Sequence, residues 1–185
     1  MGSLNLREAS VLAVDENPTS MELLKQIVTG FRIGHFTECS DPDEARKMIA
    51  AQPFDLVIID GEMSDDSGLD LTRFVRSRVD EVNFTVPILI VTGSTAAALV
   101  RQARDSGANM VISKPISPAA LRSRIDWIAR NTRTFVVSET YCGPDRRFLL
   151  GAPPNGVDER RAEALALTSE PQREMSQAEL DTLFG

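Results

Sequence analysis

The chain has 185 residues, 42% hydrophobic and 25% charged, a composition typical of a globular protein with one domain and an extension. Its net charge of −7 disfavours nucleic acid and anionic lipid, so we expect no DNA partner. No apolar run reaches the roughly 18 residues of a membrane span, and the N-terminus lacks a signal-peptide pattern. Cys39 and Cys142 lack metal-site spacing and are interpreted as reduced thiols of a cytoplasmic protein.

In chain order, the first 131 residues alternate strand and helix patterns. Five short apolar runs have the length of strands: SVLAVD, HFTECS, FDLVIID, VPILIVTG and MVISKP. Each is followed by a run of helical period: NPTSMELLKQIVTG, DPDEARKMIAA, SGLDLTRFVRSRV, TAAALVRQARDSGA and SPAALRSRIDWIAR. Asn17, Asp41 and Ser117 are predicted N-caps, because each is followed by a proline suited to the first helical turn. Gly30 and Gly107 are predicted to end two of the helices.

The five strand–helix repeats predict the fold class. Parallel strands need right-handed helical crossovers, so the repeats indicate a five-stranded parallel sheet covered by helices on both faces. The runs VLAV, LVII and ILIV are continuously apolar, as central strands of such a sheet should be. We therefore predict an α/β domain over residues 8–131.

Residues 132–185 have a different pattern, with glycine and proline every few residues and no sustained period. We predict a largely disordered, flexible tail. Its last residues, MSQAELDTLFG, contain a capping-box spacing between Ser176 and Glu179. The apolar residues that follow with helical spacing are Leu180, Leu183 and Phe184. We predict a short amphipathic helix at about residues 176–184, with these three side chains as partner-binding anchors.

Polar side chains stand where the predicted strands end, and the carboxyl ends of parallel strands meet at one edge of the sheet. They are Asp15, Glu16, Asp60, Thr92 and Lys114. Three carboxylates that meet repel one another unless a cation joins them, and Mg²⁺ suits such oxygen ligands. Lys114 and Thr92 suit phosphoryl oxygens, while Asp60 can act as a nucleophile that becomes an aspartyl phosphate. The sequence therefore predicts phosphoryl transfer at this edge.

These residues, with the motifs IIDGEMSDDSG, VTG and SKP, resemble the receiver domain of two-component response regulators over about residues 8–131. The resemblance implies a flavodoxin-like (βα)5 fold with strand order 2-1-3-4-5. It implies that Asp60 accepts a phosphoryl group from a sensor histidine kinase or a phosphotransfer protein. It also implies that Thr92 and Lys114 sense that group.

The same resemblance implies Mg²⁺ as the cofactor. Glu16, Asp60 and the backbone carbonyl of Glu62 would be its ligands, and Asp15 would orient a metal-bound water. The acidic pair is Asp-Glu instead of the commoner Asp-Asp, a change that metal binding should tolerate. Glu62 is also a candidate modulator of phosphate hydrolysis, because it lies two residues after Asp60.

Two further positions depart from the family pattern. Ser64 stands where the family usually has proline. Val111 lies three residues before Lys114, where many members carry a switching aromatic residue. A switch based on aromatic burial is therefore not expected here.

The output of the domain is predicted to be a protein–protein contact. The tail is too short and too punctuated for a winged helix, and no motif supports an enzymatic output beyond the chain's own phosphorylation and dephosphorylation. MSQAELDTLFG resembles the N-terminal peptide of the flagellar motor switch protein, which docks as a helix on a phosphorylated receiver. Two docking sites fit: the chain's own receiver, closing when Asp60 is phosphorylated, or the receiver of another protein. An ordinary capped helix without a partner is the alternative.

The sequence thus predicts a response regulator, with chemotaxis or motility as the preferred pathway. One alternative is a phosphate sink or relay receiver, for which the tail is incidental. A second alternative uses the pairs Arg146-Arg147 and Arg160-Arg161 to bind a cyclic dinucleotide, which calorimetry would test. Both pairs have acidic neighbours, so self-neutralised surface charge is also open.

Overall fold

A parallel sheet of five strands forms the centre of the molecule. The structure, a computed structural model, describes residues 6–131, 133–138, 140–145 and 175–184. The central strands are β1 (Ser10–Val14), β2 (His35–Cys39), β3 (Leu56–Asp60), β4 (Ile88–Thr92) and β5 (Met110–Ser113). Their order is β2-β1-β3-β4-β5, and every neighbouring pair is parallel. The predicted fold class and strand order are confirmed.

Five helices connect and cover the strands. They are α1 (Pro18–Gly30), α2 (Pro42–Ala51), α3 (Ser67–Ser77), α4 (Ala97–Asp105) and α5 (Pro118–Arg130). The predicted caps are confirmed: Asn17 and Asp41 each accept two backbone N–H groups of the first turn, and Ser117 accepts one. None of the helices in the described ranges is long and apolar enough to cross a membrane.

The core lies on both faces of the sheet, because helices cover each face. Every residue of β3 and β4 is buried, which explains why each strand is apolar up to its last residue. The inward face of α1 consists of Met21, Leu24, Ile27 and Val28, all buried as their spacing predicts. Full burial of such a side chain contributes about 1.5–3 kcal/mol, so these faces hold the helices to the sheet.

A two-stranded antiparallel hairpin follows α5, and the sequence did not predict it. Its strands are β6 (Phe135–Val137) and β7 (Cys142–Pro144). The Tyr141 hydroxyl donates to the carbonyl of Pro144 at 2.8 Å, a bond that ties the residue before β7 to the last residue of that strand. The hairpin is a local ordered piece of residues 132–185, which were predicted to be largely but not wholly disordered. Residues 146–174 of the predicted tail lie outside the described residues.

Arg76 of α3 joins the hairpin to the amino ends of the central strands. Its side chain is 2% exposed, and its guanidinium donates to four oxygens. These belong to the carbonyls of Phe84, Val86 and Gly107 and to the side chain of Asn109. Its guanidinium carbon also lies 4.9 Å from the ring centre of Phe135 in β6. Burial lowers the pKa of Arg76 to about 9, so the side chain still carries its charge at neutral pH.

Gly107 allows the hairpin to approach this region closely. Its φ of +97° is a conformation that favours glycine, and it follows the last turn of α4 as predicted. A Cβ atom there would lie 2.5 Å from the carbonyl oxygen of Cys142 in β7. The glycine is therefore required both by the turn and by packing against β7. Cys142 and Cys39 are free cysteines, as predicted.

The predicted terminal helix is present as α6 (Gln177–Phe184). Ser176 Oγ accepts the backbone N–H of Glu179 at 3.4 Å, and the Glu179 carboxylate accepts the backbone N–H of Ser176 at 2.8 Å. This reciprocal pair is the predicted capping box. The helix packs against β5 of the sheet.

Candidate functional site

Asp60 ends β3 at the carboxyl edge of the sheet, and its side chain is only 7% exposed. The next residue, Gly61, donates its N–H to the carbonyl of Val91 in β4 at 2.7 Å, which holds the strand end in place. Gly68 in the first turn of α3 approaches so closely that a Cβ atom there would lie 2.3 Å from the Asp60 carbonyl oxygen. The position of Asp60 is therefore fixed from two sides.

The carboxylate of Asp60 is held through one of its two oxygens. Lys114 Nζ donates to Oδ1 at 2.9 Å, and the backbone N–H of Glu62 donates to the same oxygen at 3.1 Å. Both hydrogen bonds that described residues donate to this carboxylate end on Oδ1. The arrangement orients the carboxylate and leaves Oδ2 as the oxygen suited to attack a phosphoryl group.

Lys114 is the cation of the site. Burial by itself would lower its pKa, but the hydrogen bond that Lys114 donates to Asp60 and the charges of Asp60, Asp15 and Glu62 raise the pKa above its usual value. Its Nζ also lies 3.5 Å from a carboxylate oxygen of Glu62. The ammonium is thus charged at neutral pH and stabilises the buried carboxylate of Asp60.

Asp15 and Glu16 follow β1 and have different environments. Asp15 is buried and accepts the backbone N–H of Asn17 at 2.8 Å. Glu16 is exposed, and one of its carboxylate oxygens accepts both the N–H and the hydroxyl of Ser64, at 3.2 and 2.7 Å. Proline, the usual residue of the family at this position, has neither donor. The departure at Ser64 therefore gives Glu16 a partner that proline would not supply.

The loop after Ser64 has an unusual backbone. Asp65 and Asp66 have φ values of +55° and +56°, a left-handed conformation that aspartate tolerates better than most residues. They are the last two residues of the short 3₁₀ turn Ser64–Asp66, directly before α3 begins at Ser67. The strained pair places Ser64 against Glu16 and brings α3 back to the end of β3.

The predicted metal site can be compared with the ligands that Mg²⁺ prefers. Within the described ranges, no three acidic, histidine or cysteine side chains are grouped so that they could hold a metal ion by themselves. Mg²⁺ usually binds through one or two carboxylates and keeps several waters, so the carboxylates of Asp60 and Glu16 and the carbonyl of Glu62 suit it chemically. The roles of these residues and of Asp15 in binding Mg²⁺ stay a prediction.

Thr92 ends β4 beside Asp60, as predicted. Its side chain is 6% exposed, and its hydroxyl donates to the carbonyl of Ser94 at 3.1 Å and accepts the N–H of Ser94 at 3.1 Å. Its own carbonyl accepts the N–H of Lys114 at 2.7 Å. Thr92 and Lys114 are thus brought together by the pairing of β4 with β5. Val111, the position without an aromatic residue, is buried in β5.

The predicted tail residues are only partly described. Leu180 is completely buried against the receiver. Leu183 and Phe184 lie within α6, but their side chains are outside the described part of the chain, as are the four arginines Arg146, Arg147, Arg160 and Arg161. Sequence reasoning did not single out Gln177 and Asp181 as contact residues. Their only sequence signal is that both belong to the terminal motif.

Comparison with known proteins agrees with this geometry. The family model of the response regulator receiver domain matches residues 11–126. The chain is 27% identical over 122 residues to the chemotaxis protein CheY-3 of Vibrio cholerae, which covers 66% of this chain and 92% of that protein. It is 30% identical over 116 residues to a probable chemotaxis protein CheY of Rhizobium etli, covering 63% and 88%.

Solved structures agree as well. A putative response regulator from Chloroflexus aurantiacus superposes with a TM-score of 0.62 at 25% identity, covering 67% of this chain and 99% of the other. The chemotaxis response regulator CheY4 of Vibrio cholerae superposes with a TM-score of 0.57 at 24% identity, covering 65% and 98%, which is a likeness of fold. On the family match and the geometry of the site, this chain belongs to the response regulator receiver family.

Proposed function

We propose that this protein is a response regulator that accepts a phosphoryl group on Asp60 and signals through protein–protein contacts. The observation that carries the proposal is the buried carboxylate of Asp60, which is held through Oδ1 by Lys114 and by the N–H of Glu62. A buried carboxylate paired with an ammonium at a strand end is suited to become an acyl phosphate. The phosphoryl donor is a sensor histidine kinase or a phosphotransfer protein.

The proposed reaction is a transfer between two side chains. Asp60 Oδ2 attacks the phosphorus of a phosphohistidine, an O–P bond forms, the N–P bond breaks, and the histidine nitrogen keeps the electron pair. Lys114 lies within reach of the carboxylate and neutralises negative charge on the phosphoryl oxygens. Thr92 donates its hydroxyl to one of those oxygens. Mg²⁺, when bound, would neutralise further charge in this step.

The pathway we prefer is chemotaxis or motility, in a cytoplasmic setting. Two relatives named above are chemotaxis proteins, and the terminal helix resembles a motor-switch peptide. We propose no reaction on an external substrate beyond the chain's own phosphorylation and dephosphorylation. A phosphate sink or relay receiver is the second candidate, and it is favoured only if the terminal helix has no partner.

The direct test is Mg²⁺-dependent phosphorylation by acetyl phosphate, followed by borohydride reduction. Reduction converts an aspartyl phosphate into homoserine, so peptide mapping locates the modified residue. Homoserine at position 60 is the expected result. Modification of another residue, or none with Mg²⁺ present, would overturn the proposal.

Glu62→Ala should shorten the lifetime of the phosphoryl group by about threefold or more. The Glu62 carboxylate lies 3.5 Å from Lys114 Nζ and 3.0 Å from the position of a Cβ at Gly93, so it stands between Lys114 and the loop that follows Thr92. Its removal should admit water to the acyl phosphate. The rate of dephosphorylation after removal of the donor measures the effect, and equal rates would remove Glu62 as a modulator.

Ser64→Ala should weaken Mg²⁺ binding by about tenfold, a typical effect of losing a hydrogen bond that orients a ligand. The reason is that the Ser64 hydroxyl holds Glu16 at 2.7 Å. Calorimetric titration with Mg²⁺ checks this without any phosphoryl donor. Ser67→Ala is the matched control, because no hydrogen bond to the Ser67 hydroxyl is found in the described part of the chain. Equal affinities for Ser64→Ala and the control would contradict the assigned role.

A further inference from the structure

The terminal helix α6 covers the open edge of the central sheet. β5 is an edge strand, and the N–H of Lys114 points inward to the carbonyl of Thr92. Because successive residues of a strand alternate in direction, the N–H of the preceding Ser113 points outward to the open edge. There it donates to the side-chain oxygen of Gln177 at 3.2 Å, and the Ser113 hydroxyl donates to the same oxygen at 2.9 Å. An exposed edge of this kind needs a cover, and α6 provides one.

The contact has an apolar centre and a polar border. Leu180 is completely buried, so it forms the apolar centre of the contact. The side-chain nitrogen of Gln177 donates to Asp181 at 3.0 Å, and Asp181 pairs with Arg124 of α5. Arg124 is 17% exposed, so this ion pair is partly shielded from water. Gln177, Leu180 and Asp181 thus form one recognition motif with a fixed spacing.

The contact also touches both loops that carry the phosphoryl-sensing residues. Ser113 directly precedes Lys114, and the N–H of Met175 donates to the carbonyl of Thr95 at 2.8 Å. Thr95 lies three residues after Thr92, whose single hydroxyl proton is donated to Ser94. That proton cannot serve Ser94 and a phosphoryl oxygen at the same time. Phosphorylation of Asp60 therefore requires a rearrangement next to one of the two anchor points of α6.

We propose that the edge of β5 and the adjoining face of α5 are a helix-binding surface whose occupant is α6 of the same chain. Docking of α6 excludes any partner helix that carries the Gln-x-x-Leu-Asp motif, and phosphorylation of Asp60 weakens the docking. This sign is opposite to the closing on phosphorylation that the motor-switch resemblance suggested. The link to Asp60 rests on the proposed function, whereas the docking itself does not.

The first experiment is a competition in solution with the full chain. A fluorescent peptide of residues 172–185 is titrated into wild type, Leu180→Asp and Thr182→Asp, with anisotropy as the readout. Tethering gives α6 a local concentration on the order of 1 mM, so a peptide with a Kd about tenfold lower should bind Leu180→Asp about tenfold tighter than wild type. Thr182 is exposed, and its hydroxyl donates to the carbonyl of Ala178 within α6, so the control should behave like wild type.

A charge exchange tests whether the peptide uses the same contact. Arg124→Glu combined with Leu180→Asp should abolish binding of the natural peptide, and a peptide with Asp181→Arg should restore it. Circular dichroism verifies that each variant is folded. Equal peptide affinity for wild type and Leu180→Asp, or no recovery on charge exchange, would overturn the docking. A wild-type dimer that Leu180→Asp dissociates would also overturn it, because α6 would then occupy a second copy.

The coupling is measured with beryllofluoride, a phosphoryl mimic. Mg²⁺ plus beryllofluoride should weaken peptide binding to Leu180→Asp at least about threefold relative to Mg²⁺ alone. Linkage requires the same factor in reverse, so Leu180→Asp should bind beryllofluoride more tightly than wild type. Equal or tighter peptide binding with the mimic would overturn the coupling. Failure of acetyl phosphate to modify Asp60 would instead remove the proposed function and leave the docking result standing.

Discussion

Replacing Arg76 with methionine should lower the free energy of unfolding by about 3–5 kcal/mol, the range expected when one partner of a buried polar network is removed. Methionine fills much of the same volume but donates no hydrogen bond. The carbonyls of Phe84, Val86 and Gly107 and the side chain of Asn109 would lose a donor in a buried place. Each unsatisfied buried acceptor costs about 1–3 kcal/mol, partly offset by relaxation.

Urea denaturation followed by circular dichroism measures this change. Arg73→Met is the matched control, since Arg73 lies on the same helix with 52% of its side chain exposed and forms an exposed ion pair with Asp70. We expect the control to change the free energy of unfolding by less than about 1 kcal/mol. A loss below about 1 kcal/mol for Arg76→Met would show that the network does not stabilise the fold.

Asp60→Asn should reduce phosphoryl incorporation from acetyl phosphate by about 100-fold or more, because an amide offers no nucleophilic oxygen of comparable strength. The substitution keeps the shape of the side chain, and Lys114 retains an oxygen to which it can donate. The fold should therefore persist while the reaction is lost. Incorporation is measured by intact mass after incubation with Mg²⁺ and the donor.

The control for this variant is Asp65→Asn, the same chemical change five residues further along the chain. Asp65 is exposed and has a φ of +55°, which asparagine tolerates well. We expect phosphoryl incorporation close to that of wild type. Undiminished labelling of Asp60→Asn would mean that another residue accepts the phosphoryl group.

Much of the fold and part of the site are encoded in local sequence. The caps Asn17, Asp41 and Ser117 act through atoms two or three residues away, so their patterns suffice to predict the helix starts. Asp60 and Lys114 could be predicted because each ends an apolar strand, and parallel strands end at one edge. The sheet order then brings them to 2.9 Å from each other.

Other features depend on contacts between distant parts of the chain. Arg76 looks like any surface arginine in the sequence, since its acceptors lie in two other loops. The bond from Ser64 to Glu16 joins two loops 48 residues apart, and no local pattern indicates it. The terminal helix could be predicted from its capping box. Its binding site on β5 could not be predicted, because Gln177 is hydrogen-bonded to Ser113, which lies 64 residues earlier in the chain.

The hairpin has a practical consequence for where the receiver can be cut. The family match ends at residue 126, yet Phe135 covers Arg76 and the N–H of Asp145 still donates to the carbonyl of Thr134 at 2.7 Å. A fragment that ends after α5 would uncover the arginine and remove the neighbour of Gly107. The shortest receiver fragment that keeps these contacts ends at Asp145, and fragment boundaries for binding work should follow the hairpin rather than the family match.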